Sequence, residues 1–215
     1  MRQPLFALYA LCFVFLAGCA SVDPTPSAGF LNSYSRLESV DEKGLLRIYK
    51  SDEIDLTSYT KIIIEPVVVY LHSEAKANAL DPKTLSELTD AFEEELKTEL
   101  GAHLEVVDKQ GLGVAVIKVA LTDVKPNIAL LNIHWTTSMS KHGMGGASME
   151  AEISDSRTGE LLFAIKDTRR GQSITFDKEI AKHYIGGLSK WGHTKGVFEQ
   201  WAKYFAEQFG HGEEE

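Results

Sequence analysis

The residues of this 215-residue chain whose types could do chemistry are carboxylates, histidines and a few basic side chains. Glu150 and Glu152 sit two apart in the alternating stretch Ala147 to Ser154, so a strand would put both carboxylates on one face, the wet one. Such a pair can share acid and base roles. Charge pairing across a hairpin with Lys166, and with Arg169 nearby, accounts for the same residues and is the expectation here. Asp167 and Arg169, with Arg170 beside them, are read as a structural ion pair fixing a strand end. The seven histidines, His72, His103, His134, His142, His183, His193 and His211, are scattered. None stands in an HExxH pattern or a close His/Cys pair, so no metal is expected and they are read as solvated or capping groups. Gly111-Leu112-Gly113 and Gly143-Met144-Gly145-Gly146 precede strands, whereas a phosphate cradle needs a helix N-terminus behind it. Both are read as turns. No serine lies in a GxSxG elbow. No catalytic residue and no cofactor is expected.

Cysteine usage narrows the chemistry further, since only Cys12 and Cys19 are present. Cys12 lies in an uncharged apolar run, Leu5 to Ala17, which comes after Arg2 and falls short of the ~20 residues a membrane-spanning helix needs. A basic start, a short apolar core and small residues at its end make a secretory signal peptide. Leu16-Ala17-Gly18-Cys19 resembles the lipobox of bacterial lipoproteins, in which the cysteine sulfur receives a diacylglyceryl group and cleavage leaves that cysteine first. The resemblance implies a removed leader, 1–18, and lipidation at Cys19. The remaining body would hold no thiol and no disulfide, and would depend on its core in an oxidising compartment. Ala20 to Ala28 is rich in Pro, Ser and Thr, so 19–28 reads as a tether leaving the bilayer. Ala20 is not the Asp that favours inner-membrane retention in enteric-type bacteria. The expected address is therefore the outer membrane, periplasmic face.

Beyond the tether the chain is long enough for one domain, 29–210, with an acidic tail, 211–215, expected to be disordered. The formal charge is −9, or −10 without Arg2, and no basic patch carries interleaved aromatics. Nucleic acid is excluded as a partner. Thr60 to Leu71 is rich in β-branched residues and predicts a strand, with an edge position or a bulge at Pro66. Asp81 as cap and Pro82 as first helical residue open a helix. Its apolar stripe is Leu85, Leu88, Phe92, Leu96 and Leu100, and Gly101 ends it. Leu104 to Val107, Val114 to Val124 and a hairpin with arms Ala147–Ser154 and Leu161–Lys166 predict further strands. Thr194 to Phe209 predicts a second helix, with Phe198, Trp201, Phe205 and Phe209 at helical spacing. The order predicts an α+β fold, a mostly antiparallel sheet with two helices packed on one face.

The aromatic stripe is read as core, yet Trp191, Trp201 and Tyr204 are rigid side chains of the kind that anchor partners. If exposed, they would mark an interaction surface. Residues 127–146 begin apolar and end rich in Gly, Met, Ser and His. Long loops of that kind are often functional.

Several segments together resemble a family of bacterial lipoproteins, the domain of unknown function 3313. They are GFLNSYSRLE (Gly29 to Glu38), KIIIEPV (Lys61 to Val67), EVVD (Glu105 to Asp108), MEAEISDSRTGELL (Met149 to Leu162) and DTRRGQS (Asp167 to Ser173). Trp191-Gly192, Phe198 and Trp201-Ala202 complete the set. The resemblance runs in order through nearly the whole body and implies an exported lipoprotein; it transfers no activity and no site. The expected function is a lipid-anchored, non-catalytic accessory or interaction module. Its partners would be the membrane, through the N-terminal lipid, and envelope proteins. The alternative is a small-molecule or glycan binder with residues 127–146 as a lid.

Overall fold

The computed structural model describes residues 26–73, 80–127, 144–170 and 192–210. The leader, Cys19, Trp191 and the acidic tail lie outside them, as do residues 128–143 of the expected lid.

One mixed, mostly antiparallel sheet runs through the molecule. Its strands are β1 (Glu38–Ser39), β2 (Leu46–Lys50), β3 (Lys61–Ile64), β4 (Val68–Val69), β5 (Glu105–Val106), β6 (Val114–Asn127), β7 (Met144–Asp155) and β8 (Leu161–Arg170). They lie in the order β1-β2-β8-β7-β6-β3-β5, with β4 also beside β6. Pairing is antiparallel from β1 through to β6. β3 is parallel to β5 and to β6. A parallel return needs a crossover, and helix α1 (Pro82–Gly101) provides it between β4 and β5. Helix α2 (Gly192–Gln208) comes after β8 in sequence and packs beside α1. The fold is α+β.

Local chemistry explains these elements. The Asp81 side chain accepts from the Thr84 amide at 3.0 Å, and Pro82 starts α1 with the φ a first turn wants. Pro66 has no N–H to give, and β3 stops at Ile64. The chain rejoins β6 as β4, with Ile64 opposite Ile117 and Val68 opposite Ala120. Four steps on one side meet three on the other, so one extra residue is absorbed at the proline, a bulge. At the β7–β8 turn, Asp155 Oδ1 accepts the amides of Arg157 and Thr158, and Gly159 takes φ 72°. The segment Gly143 to Gly146, expected as a turn, is strand from Met144 onward.

Alternation along the strands divides the sheet into two faces. Ile117, Val119, Leu121, Met149, Ala151, Ile153, Phe163 and Ile165 face the helices. They meet Leu88, Phe92, Leu96 and Leu100 of α1 and Phe198, Trp201, Phe205 and Phe209 of α2. The Phe92 and Phe198 rings stack at 4.6 Å between the helices, and the edge of one ring meets the other where Phe163 contacts Phe205 at 6.5 Å. Each such aromatic pair adds about 0.5–1.5 kcal/mol beyond its area burial.

The other face is covered where β7 and β8 form it. Residues 27–37 cross it as a strap, and Leu31 and Leu37 pack on Ala164 in a second small core. Glu150 is 0 % and Glu152 7 % exposed beneath it. The expectation of a solvated polar face is thereby corrected. Polar alternation here marks a face covered by polar backbone, and the sequence pattern is the same in both cases.

Candidate functional site

Among the described residues, two places gather the carboxylates, basic groups and aromatics that could do chemistry. The first is the floor of the strap. Ala28 N donates to Glu150 Oε1 at 2.9 Å, and Phe30 N to Glu150 Oε2 at 3.2 Å. Asn32 N donates to Glu152 Oε1 at 2.6 Å, and Asn32 Nδ2 to Glu152 Oε2 at 2.7 Å. The amides between them, Gly29 and Leu31, donate to the Tyr34 hydroxyl at 2.7 and 3.2 Å. That hydroxyl in turn donates to Glu150 Oε2 at 2.6 Å. Every backbone N–H from Ala28 to Asn32 is thus met by a side-chain oxygen. Gly29 takes φ 93°, a conformation few other residues reach easily.

Burying a carboxylate is unfavourable unless its oxygens are filled, and charge-assisted bonds to N–H groups offset that penalty. Burial, and then the neighbouring Glu150 carboxylate, push the Tyr34 hydroxyl far above its ordinary pKa, so it remains a donor. Glu150 and Glu152 therefore act as acceptors for a docked segment. Both oxygens of each are engaged, which leaves no open acid/base pair facing solvent. Lys166, opposite Glu150 in the β7–β8 register, reaches Ser27 Oγ at 3.3 Å.

The second place is the far end of β8. Arg169 Nε lies 2.5 Å from Asp167 Oδ2, and the Trp201 indole N–H donates to the same oxygen at 2.8 Å. Asp167 is 2 % exposed, while a quarter of the Arg169 side chain reaches solvent. Half-buried Tyr204 lies close by, its hydroxyl pushed up first by burial and then by the Glu207 and Asp167 carboxylates. An open cleft of about 380 Å³ adjoins, lined by Lys43, Leu46, Thr168 and Arg169 among others.

Of the three aromatics that would mark an interaction surface if exposed, Trp201 is 1 % exposed and belongs to the core. Trp201 is thereby struck from any such surface and the core reading of the stripe stands: it packs inward, and the indole nitrogen finds its acceptor inside. Trp191 lies outside the described residues. Among the histidines, His72 is buried, not solvated, with Nε2 3.9 Å from Asp123 Oδ2.

The strap is the feature that pattern reasoning missed. Its residues pair with side chains, so they carry no strand periodicity. A signal was present all the same: Gly29, Asn32 and Tyr34 are backbone-permissive or hydrogen-bonding residues set among apolar Phe30 and Leu31.

No curated protein is significantly similar to the chain. Among solved structures, it is similar to a hypothetical protein from Chlamydia trachomatis, at 10 % identity and a TM-score of 0.40, over 69 % of this chain and 96 % of that one. It is also similar to PelC, a dodecamer from Paraburkholderia phytofirmans, at 12 % identity and a TM-score of 0.36, over 61 % and 85 %. A minor lipoprotein from Acinetobacter baumannii matches at 15 % identity and a TM-score of 0.31, over 70 % and 91 %. The family model described as protein of unknown function (DUF3313) matches residues 26–205, and the chain belongs to that family.

Proposed function

We propose that the protein is an acylated lipoprotein of the bacterial envelope, held through Cys19 at the periplasmic face of the outer membrane. Its domain serves there as a non-catalytic interaction module for other envelope proteins. The observation that carries the reading is Leu16-Ala17-Gly18-Cys19 at the end of a short, uncharged apolar run. Several acyl chains on one cysteine hold firmly, because each buried methylene contributes about 0.8 kcal/mol and a single chain holds only marginally.

Two features of the domain support a non-catalytic role. The buried carboxylates of Glu150, Glu152 and Asp167 are committed to bonds that hold the strap, an arginine and a tryptophan. The cleft beside Arg169 is open, lined by the turn around Asp41 to Lys43 and by the adjoining ends of β2 and β8. Among the described residues, no helix is long and apolar enough to cross a membrane.

Metabolic labelling with radioactive palmitate tests the anchor. The wild type should take up label and fractionate with outer membranes, and Cys19→Ala should do neither. Equal label in both proteins would refute lipidation at Cys19. For the module role, crosslinking in intact cells and then affinity capture should recover a defined envelope protein. Recovery of none would count against it.

A further inference from the structure

Deepening the proposed membrane anchoring, and resting on acylation at Cys19, we infer that the strap side of the domain lies on the bilayer surface, with Phe30, Val68 and Tyr70 touching lipid. Three independent observations carry this. The first is covalent reach. Ser27 stands eight residues beyond Cys19, a span of at most about 29 Å even when fully extended, against a domain about 40 Å across. Ser27 and Ala28 are fastened to the strap face through Lys166 and Glu150. That face is the one the anchor draws toward the membrane.

The second observation is apolar surface where the chain leaves for its anchor. Val68 and Tyr70 are 42 % and 47 % exposed, although β4 pairs with β6. They share a face, since Val67 turns into the helix-side core. The Tyr70 ring lies 6.0 Å from that of Phe30, on the strap itself. A ring with an apolar body and a polar tip suits the boundary between acyl chains and headgroups. The third is charge. Glu87, Asp90 and Glu94 are exposed on α1, which packs on the opposite face of the sheet. Anionic headgroups repel carboxylates, so α1 belongs on the side away from the lipid.

The processed protein would carry no cysteine besides the acylated one, so Val68→Cys and Glu94→Cys each take a single bimane label. The acylated, labelled proteins are placed in vesicles of phosphatidylethanolamine and phosphatidylglycerol containing a spin-labelled lipid. The label at residue 68 should be quenched at least about twofold more than that at 94. As a check that needs no substitution, amide exchange over residues 28–34 and 66–72 should slow on vesicles relative to detergent. Equal quenching at both sites in protein whose mass shows the acyl chains would overturn the orientation and leave the anchor standing. Slowed exchange that instead tracks protein concentration in detergent would assign the patch to a second copy, and would also overturn it. A mass without acyl chains would remove both the anchor and this inference.

Discussion

Trp201 and Asp167 are joined by one hydrogen bond, indole N–H to carboxylate at 2.8 Å, and it fastens α2 to β8 inside the core. Both partners are almost fully buried, so neither can turn to water if the other is removed. Trp201→Phe should cost about 2–4 kcal/mol, combining lost volume with a buried carboxylate missing a donor. Urea unfolding monitored by far-ultraviolet circular dichroism measures this. A loss under about 0.5 kcal/mol would mean that Arg169 alone satisfies Asp167.

The strap makes a separable prediction. Glu150→Ala leaves the amides of Ala28 and Phe30 and the Tyr34 hydroxyl without their acceptor. The expected loss is about 3–5 kcal/mol if the strap stays down. It is smaller if the strap lifts, in which case limited proteolysis should cut within residues 26–35. Glu150→Gln, which keeps one acceptor oxygen, should fall between the wild type and Glu150→Ala. A strap equally resistant to protease in all three proteins would rule out the carboxylates as its fastening.

Tyr59 and Asp155 set stability at both ends of the pH scale. The Tyr59 hydroxyl donates to Asp155 Oδ2 at 3.0 Å, and burial, then Asp155, push it up to about 12. A raised acid favours the folded state while protonated, so that stability is complete below the ordinary tyrosine value and lost as pH rises toward 12. Burial works against the charge of Asp155, but the amides of Thr158 and Arg157 and the Tyr59 hydroxyl outweigh it and hold the carboxyl below its usual value. Its contribution is therefore present above the ordinary carboxylate range and lost as pH falls through it. Tyr59→Phe should lower stability by about 1 kcal/mol at pH 7 and flatten the decline between pH 10 and 12. Urea midpoints across pH report both.

Glu95 on α1 carries a cost instead. Its carboxyl is raised by burial, then by Glu199 and Glu99. A raised carboxyl favours folding when protonated, and the penalty appears as pH climbs above the ordinary carboxylate value. Glu95→Gln should stabilise the protein by about 0.5 kcal/mol at pH 7, a melting shift of about 1–2 °C, and by nothing at pH 3. A shift of equal size at both pH values would trace the gain to packing rather than to charge.

How far the sequence reached depends on where each backbone group bonds. Both helices were legible, because Leu88 to Leu100 and Phe198 to Phe209 repeat at helical spacing and bury that same stripe. The β7–β8 hairpin was legible because Asp155 to Gly159 carries turn chemistry between alternating arms. Leu46 to Lys50 also alternates, yet five residues between turn-rich flanks are a weak signal, and β2 went unread. The strap left no periodic trace at all. Glu150 and Glu152 are equally at home beside water and beside a row of amides, so their pattern could not tell a wet face from a covered one.

The sheet ends in very short pieces: β1 and β5 are two residues each, and so is β4 after Pro66. Among the described residues, a foreign chain seeking to extend the sheet from β1 or β5 would find only a few free donors and acceptors, and no settled register. Crowding many copies together should therefore not recruit them into fibrils by strand addition at those two edges. Self-association there, where it occurs, would have to proceed through side-chain surfaces.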